Sequence, residues 1–438
     1  MDYTAIVLGG GPAGSTTAGL LARAGHRVLV LEKEHFPRFH IGESLLPYNQ
    51  PLFEELGVTP ALEKAGFPRK YGAQFHLGND SRHRRFEFRQ GRFTRYTETW
   101  QVERAVFDEL LLNNARRLGA EVREGWTALR FGSDAAGAWV EAAPATGGQP
   151  LRHTAAFIVD ATGRANLTGN QEGLRVVHPA LKKVAIFGHF RGVRRDRGDA
   201  AGDTVIIRLA REWFWMIPIG PDKTSVGLVM DQADLARFGE TPEVIFERYL
   251  AQARPLQRRM VNAERLTPLR TTSDFSYHNR RLVGPRLLRV GDAAGFMDPI
   301  FSAGVFLAMR SGKLATDAIN HAVTQGNDGR QRLARYEREV WRNMRFYWRM
   351  VEGFYTTPFL EIFMEPRENL SLVSAVNAVL AGEVEGGWKL RWRLEVFFGL
   401  VRLQRRWALT PRIAFDAASS PDPFAFLSRG FPTKVPHR

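Results

Sequence analysis

The sequence predicts an α/β protein with a doubly wound parallel sheet, an inserted mixed β-sheet and a helical C-terminal region. Three observations lead to this fold class. A short apolar run rich in β-branched residues, residues 3–9, leads into a glycine-rich turn and then a helical pattern. Two later predicted strands, at 157–160 and 287–290, also lead into glycine-containing turns. From about residue 331 onward the pattern becomes helical and aromatic.

The composition of the 438-residue chain is that of a folded protein with a basic surface. Its 44% hydrophobic and 24% charged residues exclude a disordered chain. The net charge of +15 is compatible with a nucleotide ligand or an acidic partner. No signature of a nucleic-acid-binding fold accompanies that charge, so we expect no nucleic-acid partner. The absence of cysteine excludes a disulfide scaffold, a cysteine nucleophile, a Cys-type zinc site and an Fe–S cluster.

The sequence also predicts where the protein resides and that it holds no metal. It contains no run of about 18 uncharged apolar residues, so we expect no membrane span. The N-terminus lacks the basic segment of a signal peptide, which predicts a cytoplasmic protein. The 11 histidines are scattered without the spacing of metal ligands, and we expect no metal site.

The first glycine turn has the pattern G-x-G-x-x-G between a strand and a helix, which is typical of dinucleotide binding. Gly9 permits the tight turn, Gly11 lets the backbone approach a pyrophosphate, and Gly14 allows close packing of helix on strand. An acidic residue ends the next strand and can accept a hydrogen bond from a ribose hydroxyl. The predicted cofactor contacts of this unit are Gly9, Gly11, Pro12, Ala13, Gly14 and Glu32.

Later segments favour FAD over NAD as the dinucleotide. The turn at 291–295 resembles the motif in which FAD monooxygenases hold the ribityl chain with an aspartate, here Asp292. Val102-Glu103-Arg104 resembles the segment whose arginine contacts FAD in that superfamily, which implies such a contact for Arg104. No second complete G-x-G-x-x-G exists for a nicotinamide. We therefore expect the reducing equivalents to come from a separate flavin reductase.

Residues 213–218, Trp-Phe-Trp-Met-Ile-Pro, match the W-x-W-x-I-P signature of the flavin-dependent halogenases, which the whole sequence resembles in motif order over about residues 3–330. Residues two apart in a strand point to the same face, so Trp213 and Trp215 are expected to form one wall. The resemblance implies that this wall lies beside the flavin and keeps the substrate away from it. The alternative is a core strand with two packed indoles and no function.

The segment Gly66–Ala73 resembles the one that carries the catalytic lysine of phenol- and pyrrole-directed halogenases. The resemblance implies that Lys70 is this lysine. Its ammonium would polarise hypohalous acid, or its amine would form a haloamine, and both routes stay open. A dry site lined by aromatic residues would lower the pKa of the lysine toward the range that this chemistry needs. The alternative is an ordinary surface lysine.

The family places its halide on backbone N–H groups just before a helix. The corresponding residues here are Ser302, Ala303 and Gly304, followed by a helix predicted at 306–319. Gly304 and Val305 are also expected to contact the flavin. The alternative is that this step merely caps the helix. Tryptophan halogenases have a glutamate at the position of Phe301, so the phenol- and pyrrole-directed branch fits better.

The loop at 38–47 resembles the segment after the second strand in the same branch. The resemblance implies that it covers the flavin and that Arg38 contacts the FAD phosphates or adenosine. His40 and Glu43 are candidates for general acid–base groups, with hydrogen bonding within the loop as the alternative.

The resemblance as a whole implies an FAD-dependent halogenase. Reduced FAD, oxygen and chloride or bromide would give hypohalous acid, which Lys70 would direct to an electron-rich ring. The expected substrate is a phenol- or pyrrole-type ring, free or tethered to a carrier protein. Two alternatives use a similar flavin domain, an FAD-dependent aromatic hydroxylase and a polyprenyl reductase. Neither requires the two tryptophans.

The expected domains are an FAD-binding domain at 1–330, with the inserted sheet at about 67–99 and 166–279, and a helical region at 331–438. Residues 146–150 are typical of a hairpin turn.

Residues 388–407 predict a basic amphipathic helix. Its apolar face would pack on the core, or the helix would act as a lid, dock an acidic carrier protein or associate with a membrane. Residues 354–363 and 424–431 supply aromatic side chains for a cavity wall.

Overall fold

The computed structural model describes residues 1–273, 276–365 and 369–415. The α-helices of this part are α1 (Pro12–Arg23), α2 (Gln50–Leu56), α3 (Thr59–Lys64), α4 (Arg104–Arg117), α5 (Leu167–Gln171), α6 (Gln232–Phe238), α7 (Pro242–Leu250), α8 (Arg254–Arg259), α9 (Ala303–Thr324), α10 (Arg330–Phe354), α11 (Thr357–Met364), α12 (Leu372–Ala381) and α13 (Gly387–Arg406).

The strands fall into two large sheets and two small ones. In chain order they are β1 (Tyr3–Leu8), β2 (Val28–Glu32), β3 (Arg69–Lys70), β4 (Gly72–Leu77), β5 (His83–Glu87), β6 (Thr99–Trp100), β7 (Glu121–Glu124), β8 (Trp126–Ser133), β9 (Ala138–Pro144), β10 (Leu151–Asp160), β11 (Arg175–Val177), β12 (Lys183–Arg191), β13 (Thr204–Arg208), β14 (Trp213–Gly220), β15 (Lys223–Asp231), β16 (Glu264–Arg265), β17 (Arg270–Ser273), β18 (Tyr277–Asn279), β19 (Val283–Gly284), β20 (Leu287–Arg289) and β21 (Gly295–Phe296).

The first large sheet has the main order β19-β20-β10-β1-β2-β7, in which every pair is parallel except β19–β20, and β9 and β8 add to it as antiparallel strands beside β10. The three strands at its centre, β10, β1 and β2, end in the glycine turns or the acidic residue that the sequence pointed to, so these ends meet at one edge. The predicted hairpin is confirmed, because β9 and β10 pair antiparallel on either side of residues 145–150. The predicted doubly wound sheet is therefore present.

The second large sheet has the order β16-β12-β15-β14-β13-β4-β5, with β17 also paired to β12. It is mixed, since β13 pairs parallel with β4 whereas its other pairs are antiparallel. Strand β14 alternates as predicted: Trp213 and Trp215 pack in one hydrophobic cluster, and Phe214 and Met216 pack in another. The second cluster includes residues of α7 and α8, so the tryptophan face is the one turned toward the first sheet.

The C-terminal helices α10 to α13 extend the larger hydrophobic cluster. Helix α13 buries Leu390, Leu394, Phe397 and Val401, and the ring of Phe397 meets Phe359 of α11 edge-on at 5.4 Å. Of the alternatives for the basic helix, packing of its apolar face on the core is thus confirmed. No helix in the described ranges is long and apolar enough to cross a membrane. The predicted domain boundary near residue 330 stays a prediction, and residues 424–431 lie outside the described residues.

Candidate active site

A cavity of about 590 Å³ lies between the glycine-turn edge of the first sheet and the tryptophan face of the second. Its size is within the range of ligand pockets. The residues predicted for the FAD site that line it are Gly9, Gly11, Pro12, Ala13, Glu32, Arg38, Arg104, Asp292, Gly304 and Val305. Those predicted for halide binding or catalysis that line it are Ser302, Trp213 and Trp215. Gly14, Ala303 and Lys70 lie outside its wall.

The glycine turn has the shape that a pyrophosphate needs. Gly9 adopts a φ of +101°, and a Cβ there would lie 2.4 Å from the carbonyl oxygen of Ala161. A Cβ on Gly14 would lie 1.9 Å from the carbonyl oxygen of Gly9, which explains the close packing of α1 on β1. At Gly11 the nearest atom to an added Cβ is a nitrogen of Arg38 at 3.6 Å, so the backbone there is open to the cavity.

Glu32 holds the same turn from the neighbouring strand. Its Oε2 accepts a hydrogen bond from the Gly10 amide at 2.7 Å, and its Oε1 accepts one from the Glu34 amide at 2.9 Å. The carboxylate is 4% exposed and borders the cavity. Each oxygen retains a lone pair, so a ribose hydroxyl would find an acceptor already fixed in place. The ribose contact itself stays a prediction.

Two arginines at the cavity share one carboxylate. The Nε and Nη2 atoms of Arg104 donate to the two oxygens of Asp108 at 2.7 and 2.8 Å, and Arg38 Nη1 donates to the same carboxylate at 3.1 Å. Burial disfavours ionisation of Asp108, yet the Arg104 guanidinium outweighs it and lowers the pKa of that carboxyl. The Nε atom of Arg38 also forms an ion pair with the half-exposed Glu34 at 3.2 Å, so a pyrophosphate here would share the Arg38 guanidinium with that carboxylate. We did not predict Asp108, although its spacing of four from Arg104 on a helix was a usable signal.

Asp292 lies on the turn after β20 with its side chain at the cavity. Burial raises the pKa of this carboxyl to about 6, and Arg104 and Arg164 pull in the opposite direction. Its backbone carbonyl accepts a hydrogen bond from the Tyr277 hydroxyl at 2.6 Å, which fixes the turn. Within the described residues no protein group hydrogen-bonds to the carboxylate, so its acceptor sites are available to a cofactor hydroxyl.

The tryptophan wall is anchored from the C-terminal helices. Trp213 Nε1 donates to the Tyr355 hydroxyl oxygen at 2.8 Å, and that hydroxyl donates to Asp298 Oδ2 at 2.6 Å. Trp215 Nε1 donates to Ser225 Oγ at 3.0 Å, and the two indole rings lie 6.0 Å apart. We did not predict Tyr355 or Asp298 as part of this wall. No sequence signal joins residues that are so far apart in the chain.

Lys70 is buried, with 1% of its surface exposed. Its Nζ donates to Ser44 Oγ at 2.8 Å and to the Leu45 carbonyl at 3.0 Å, and it lies 5.6 Å from the centre of the Phe88 ring. Burial lowers the pKa of Lys70 to about 7, although the charge of Asp203 opposes the shift. The alternative of a solvated surface lysine is therefore wrong, and the expected lowering of its pKa is confirmed.

The segment expected to bind halide forms the start of α9. Ser302 precedes the helix with a φ of +56°, and its side chain makes no capping hydrogen bond. The helix begins at Ala303, three residues earlier than predicted, because the small residues Ala303 and Gly304 can form its first turn. Ser302 occupies the N-cap position without a side-chain hydrogen bond, so this geometry is compatible with the capping alternative and the halide site stays a prediction. The first amides of a 22-residue helix therefore point toward the cavity edge.

His40 and Glu43 both take part in hydrogen bonds of the cavity loop. His40 Nδ1 lies 2.6 Å from the Ile41 carbonyl oxygen, and burial lowers the pKa of this histidine to about 4. Glu43 Oε1 lies 2.7 Å from Nε2 of His189, a residue of β12 that we did not single out. The loop thus contacts the second sheet through Glu43.

The residues present fit FAD. A tight glycine turn, a fixed acceptor for a ribose, an arginine pair for a pyrophosphate and a buried aspartate for the ribityl chain border one cavity. Fold and site together define an FAD-dependent oxidoreductase. A family model described as FAD binding domain matches residues 2–352.

Comparison with known proteins narrows this class. The chain is 31% identical over 413 residues to the 1H-pyrrole-2-carbonyl-[peptidyl-carrier protein] chlorinase of Pseudomonas fluorescens, covering 89% of this chain and 91% of that protein. It is 36% identical over 326 residues to a tryptophan 2-halogenase of Chondromyces crocatus, covering 73% and 61%. The chain belongs to the flavin-dependent halogenases.

Solved structures of similar proteins support this family membership. The myxobacterial chondrochloren halogenase superimposes with a TM-score of 0.76 at 31% identity, covering 93% of this chain and 91% of that one. A triple mutant of a flavin-dependent brominase superimposes with a TM-score of 0.80 at 29% identity, covering 92% and 100%. The predicted FAD-binding fold and FAD cofactor are thus confirmed. Halogenation replaces the hydroxylase and polyprenyl reductase alternatives.

Proposed function

We propose that this halogenase modifies a pyrrole- or phenol-type aromatic ring and that Lys70 delivers the electrophilic halogen. The observation that carries the proposal is the environment of Lys70. It is a buried amine with a pKa lowered to about 7, hydrogen-bonded to a residue of the cavity wall. A buried amine with a shifted pKa beside a cleft is typical of functional sites.

Reduced FAD supplies the oxygen activation that converts halide to hypohalous acid. The protein's own residues would hold the halide and keep the aromatic ring apart from the flavin. The amides of Ser302, Ala303 and Gly304 at the start of α9 would hold chloride or bromide, because free N–H groups and the helix dipole favour an anion. Trp213 and Trp215 would separate the ring from the flavin, since both indoles border the cavity and are fixed by hydrogen bonds.

Lys70 would then act on the hypohalous acid in its ammonium form. Both of its observed hydrogen bonds are donated to oxygen acceptors, as an ammonium requires. A hydrogen bond to the oxygen of hypohalous acid, from Lys70 or from a hydroxyl to which Lys70 donates, would make that oxygen a better leaving group and the halogen more electrophilic. The aromatic ring attacks the halogen and loses its proton, and the oxygen of hypohalous acid leaves as water.

The proposed type of aromatic ring is inferred from the relatives of this chain. The chlorinase from Pseudomonas fluorescens and a brominase from Pseudoalteromonas luteoviolacea, 33% identical, are both named for a pyrrole on a peptidyl-carrier protein. We propose that the substrate here is an electron-rich ring of this kind, tethered to a carrier protein or free. A separate flavin reductase would supply reduced FAD. The cytoplasmic location stays a prediction.

The experiment is product mass spectrometry with FAD, a flavin reductase, NADH, oxygen and bromide. The panel holds pyrrolyl and hydroxybenzoyl groups on carrier proteins beside free phenols and pyrroles. We expect a bromine isotope doublet that is lost in Lys70→Ala. The matched control is Arg69→Ala, because Arg69 precedes Lys70 but forms ion pairs at the surface with Glu63 and Glu98. Brominated product at the wild-type rate from Lys70→Ala would overturn the role of Lys70.

A further inference from the structure

Lys70 does not reach the cavity itself. Its side chain is 1% exposed and lies behind the cavity wall, whereas Ser44 and Thr204 are part of that wall. The three residues form a hydrogen-bonded chain. Lys70 Nζ lies 2.8 Å from Ser44 Oγ, and Ser44 Oγ lies 2.9 Å from Thr204 Oγ1. The path from the ammonium to the cavity therefore runs through a pair of hydroxyls.

The direction of these hydrogen bonds is fixed at both ends. Gln101 Nε2 donates to the Gly202 carbonyl at 2.9 Å and to Thr204 Oγ1 at 2.8 Å. Because a carbonyl can only accept, the Gln101 amide has one orientation and Thr204 must accept from it. At the other end the Lys70 ammonium can only donate, so Ser44 must accept from it.

One hydroxyl hydrogen of the pair is left over. Ser44 and Thr204 together carry two hydroxyl hydrogens, and the contact between them uses only one. In the described part of the chain no protein acceptor meets the other. Both residues border the cavity, so a molecule bound there can accept this hydrogen. A buried donor without a partner is costly, which favours an acceptor supplied by a bound molecule.

We propose that the Ser44–Thr204 hydroxyl pair is the proton relay between Lys70 and the halogenating cavity, an inference that rests on the proposed role of Lys70. The oxygen of hypohalous acid takes the hydroxyl hydrogen as the bond from oxygen to halogen breaks, and it leaves as water. Lys70 replaces that hydrogen by passing one ammonium proton to Ser44 and becomes a neutral amine. The proton lost by the ring returns along the same path, so each turnover is balanced in protons.

Among the described residues, the other groups near Lys70 offer no equivalent route. The Leu45 carbonyl, its second hydrogen-bond partner, has no proton to pass on. Asp203 influences Lys70 only through its charge, and its own hydrogen bonds are to Arg85 and Gln74. Glu43, the neighbour of Ser44, is engaged by His189 at 2.7 Å. Burial lowers the pKa of Lys70 to about 7, so the proton can leave and return near neutral pH.

The test compares Ser44→Ala with Ser44→Thr, and Thr204→Val with Thr204→Ser, in the FAD-loaded protein. We expect Ser44→Ala to lower the rate of halogenation about 100-fold, the range of one general acid–base contribution, while hypohalous acid is still formed and captured by a diketone trap. Ser44→Thr should recover most of the rate. Thr204→Val should lower it and Thr204→Ser should not, because only the serine keeps the second hydroxyl.

A second readout does not depend on turnover. The pKa of Lys70 is followed by NMR of lysines labelled with ¹³C at Cε, with Lys70→Met used for assignment. Ser44→Ala removes one of the two acceptors of the ammonium, so we expect the pKa of Lys70 to fall. Wild-type rates and an unchanged Lys70 pKa in Ser44→Ala would overturn the relay. Full halogenation by Lys70→Ala would instead overturn the proposed function, whatever the serine variants do.

Discussion

The indole Nε1 of Trp213 donates a hydrogen bond to the hydroxyl oxygen of Tyr355 at 2.8 Å. Tyr355 follows the last turn of α10, so a helix of the C-terminal region holds a residue of the second sheet. The same hydroxyl donates to Asp298, four residues before Ser302. One tyrosine thereby connects the tryptophan wall, which is proposed to face the substrate, with the loop proposed to bind halide.

Tyr355→Phe is expected to disturb both ends of this connection. The Trp213 N–H would lose its acceptor inside the protein, at a cost of about 1–3 kcal/mol in the free energy of unfolding. Asp298, whose pKa burial already raises to about 6, would lose its strongest hydrogen bond and become harder to ionise. We expect a lower melting temperature and less halogenated product per reduced FAD consumed, measured by calorimetry and product yield.

Tyr347→Phe is the matched control for that change. Its hydroxyl is also buried and donates to the Val379 carbonyl at 3.2 Å, away from the tryptophan wall. It should lower stability by a similar amount without changing the yield of product per FAD. An equal loss of yield in both variants would contradict the link through Tyr355.

Lys70→Met is expected to stabilise the protein most at low pH. The pKa of Lys70 is about 7 in the folded chain and near 10.4 in an unfolded one, so the unfolded state binds more protons between these values. The cost of burying the lysine is therefore full below about pH 7 and shrinks by up to about 1.4 kcal/mol per pH unit as the pH rises. Urea unfolding of both proteins at pH 6.5, 8 and 9.5 measures the difference. If the difference in the free energy of unfolding between the two proteins did not depend on pH, the pKa of Lys70 would not be shifted.

The same pKa predicts the pH dependence of halogenation. If the ammonium form of Lys70 acts, the rate should fall as the pH rises through about 7. The rate of hypohalous acid formation, measured with a trap, should not show this decrease. A halogenation rate that rises through pH 7 would favour the haloamine route, in which the neutral amine attacks.

Asp292→Asn is expected to weaken FAD binding about 10-fold, because an ionised acceptor makes hydrogen bonds about 1.4 kcal/mol stronger than a neutral one. Since burial raises the pKa of Asp292 to about 6, wild-type affinity should also weaken as the pH falls through that value. Quenching of flavin fluorescence measures both effects. Asp134, which lies in an exposed turn, gives the control Asp134→Asn. Equal affinity of the two variants would exclude Asp292 from the FAD site.

Ser302→Gly is expected to leave the halide KM within about 2-fold of wild type. The proposed halide contacts are backbone amides, which the variant keeps. Glycine also adopts the φ of +56° found at this position more readily than serine, so stability should rise slightly. Initial rates at varied bromide concentration test the expectation. A large rise in KM would mean that the serine hydroxyl holds the halide.

Much of the fold could be predicted from local sequence. The turn from β1 to α1 needs glycines for steric reasons, and the alternation of Trp213 and Trp215 follows from strand geometry alone. The hairpin of β9 and β10 could likewise be predicted from its turn residues. These features depend on residues that are near one another in the chain, where conformational preference and periodicity act directly.

Only the tertiary structure decided what surrounds each predicted side chain. A lysine between arginine and tyrosine in the sequence gives no sign that its ammonium is buried against Ser44, which the fold brings from another loop. The contacts of Trp213 with Tyr355 and of Arg104 with Arg38 through Asp108 likewise join distant segments. The sequence by itself determined the residue types and the local turns of this halogenase. Burial and long-range hydrogen bonds set the protonation of Lys70 and Asp292, because a pKa depends on the solvent and the charges around a group and not on its neighbours in the chain.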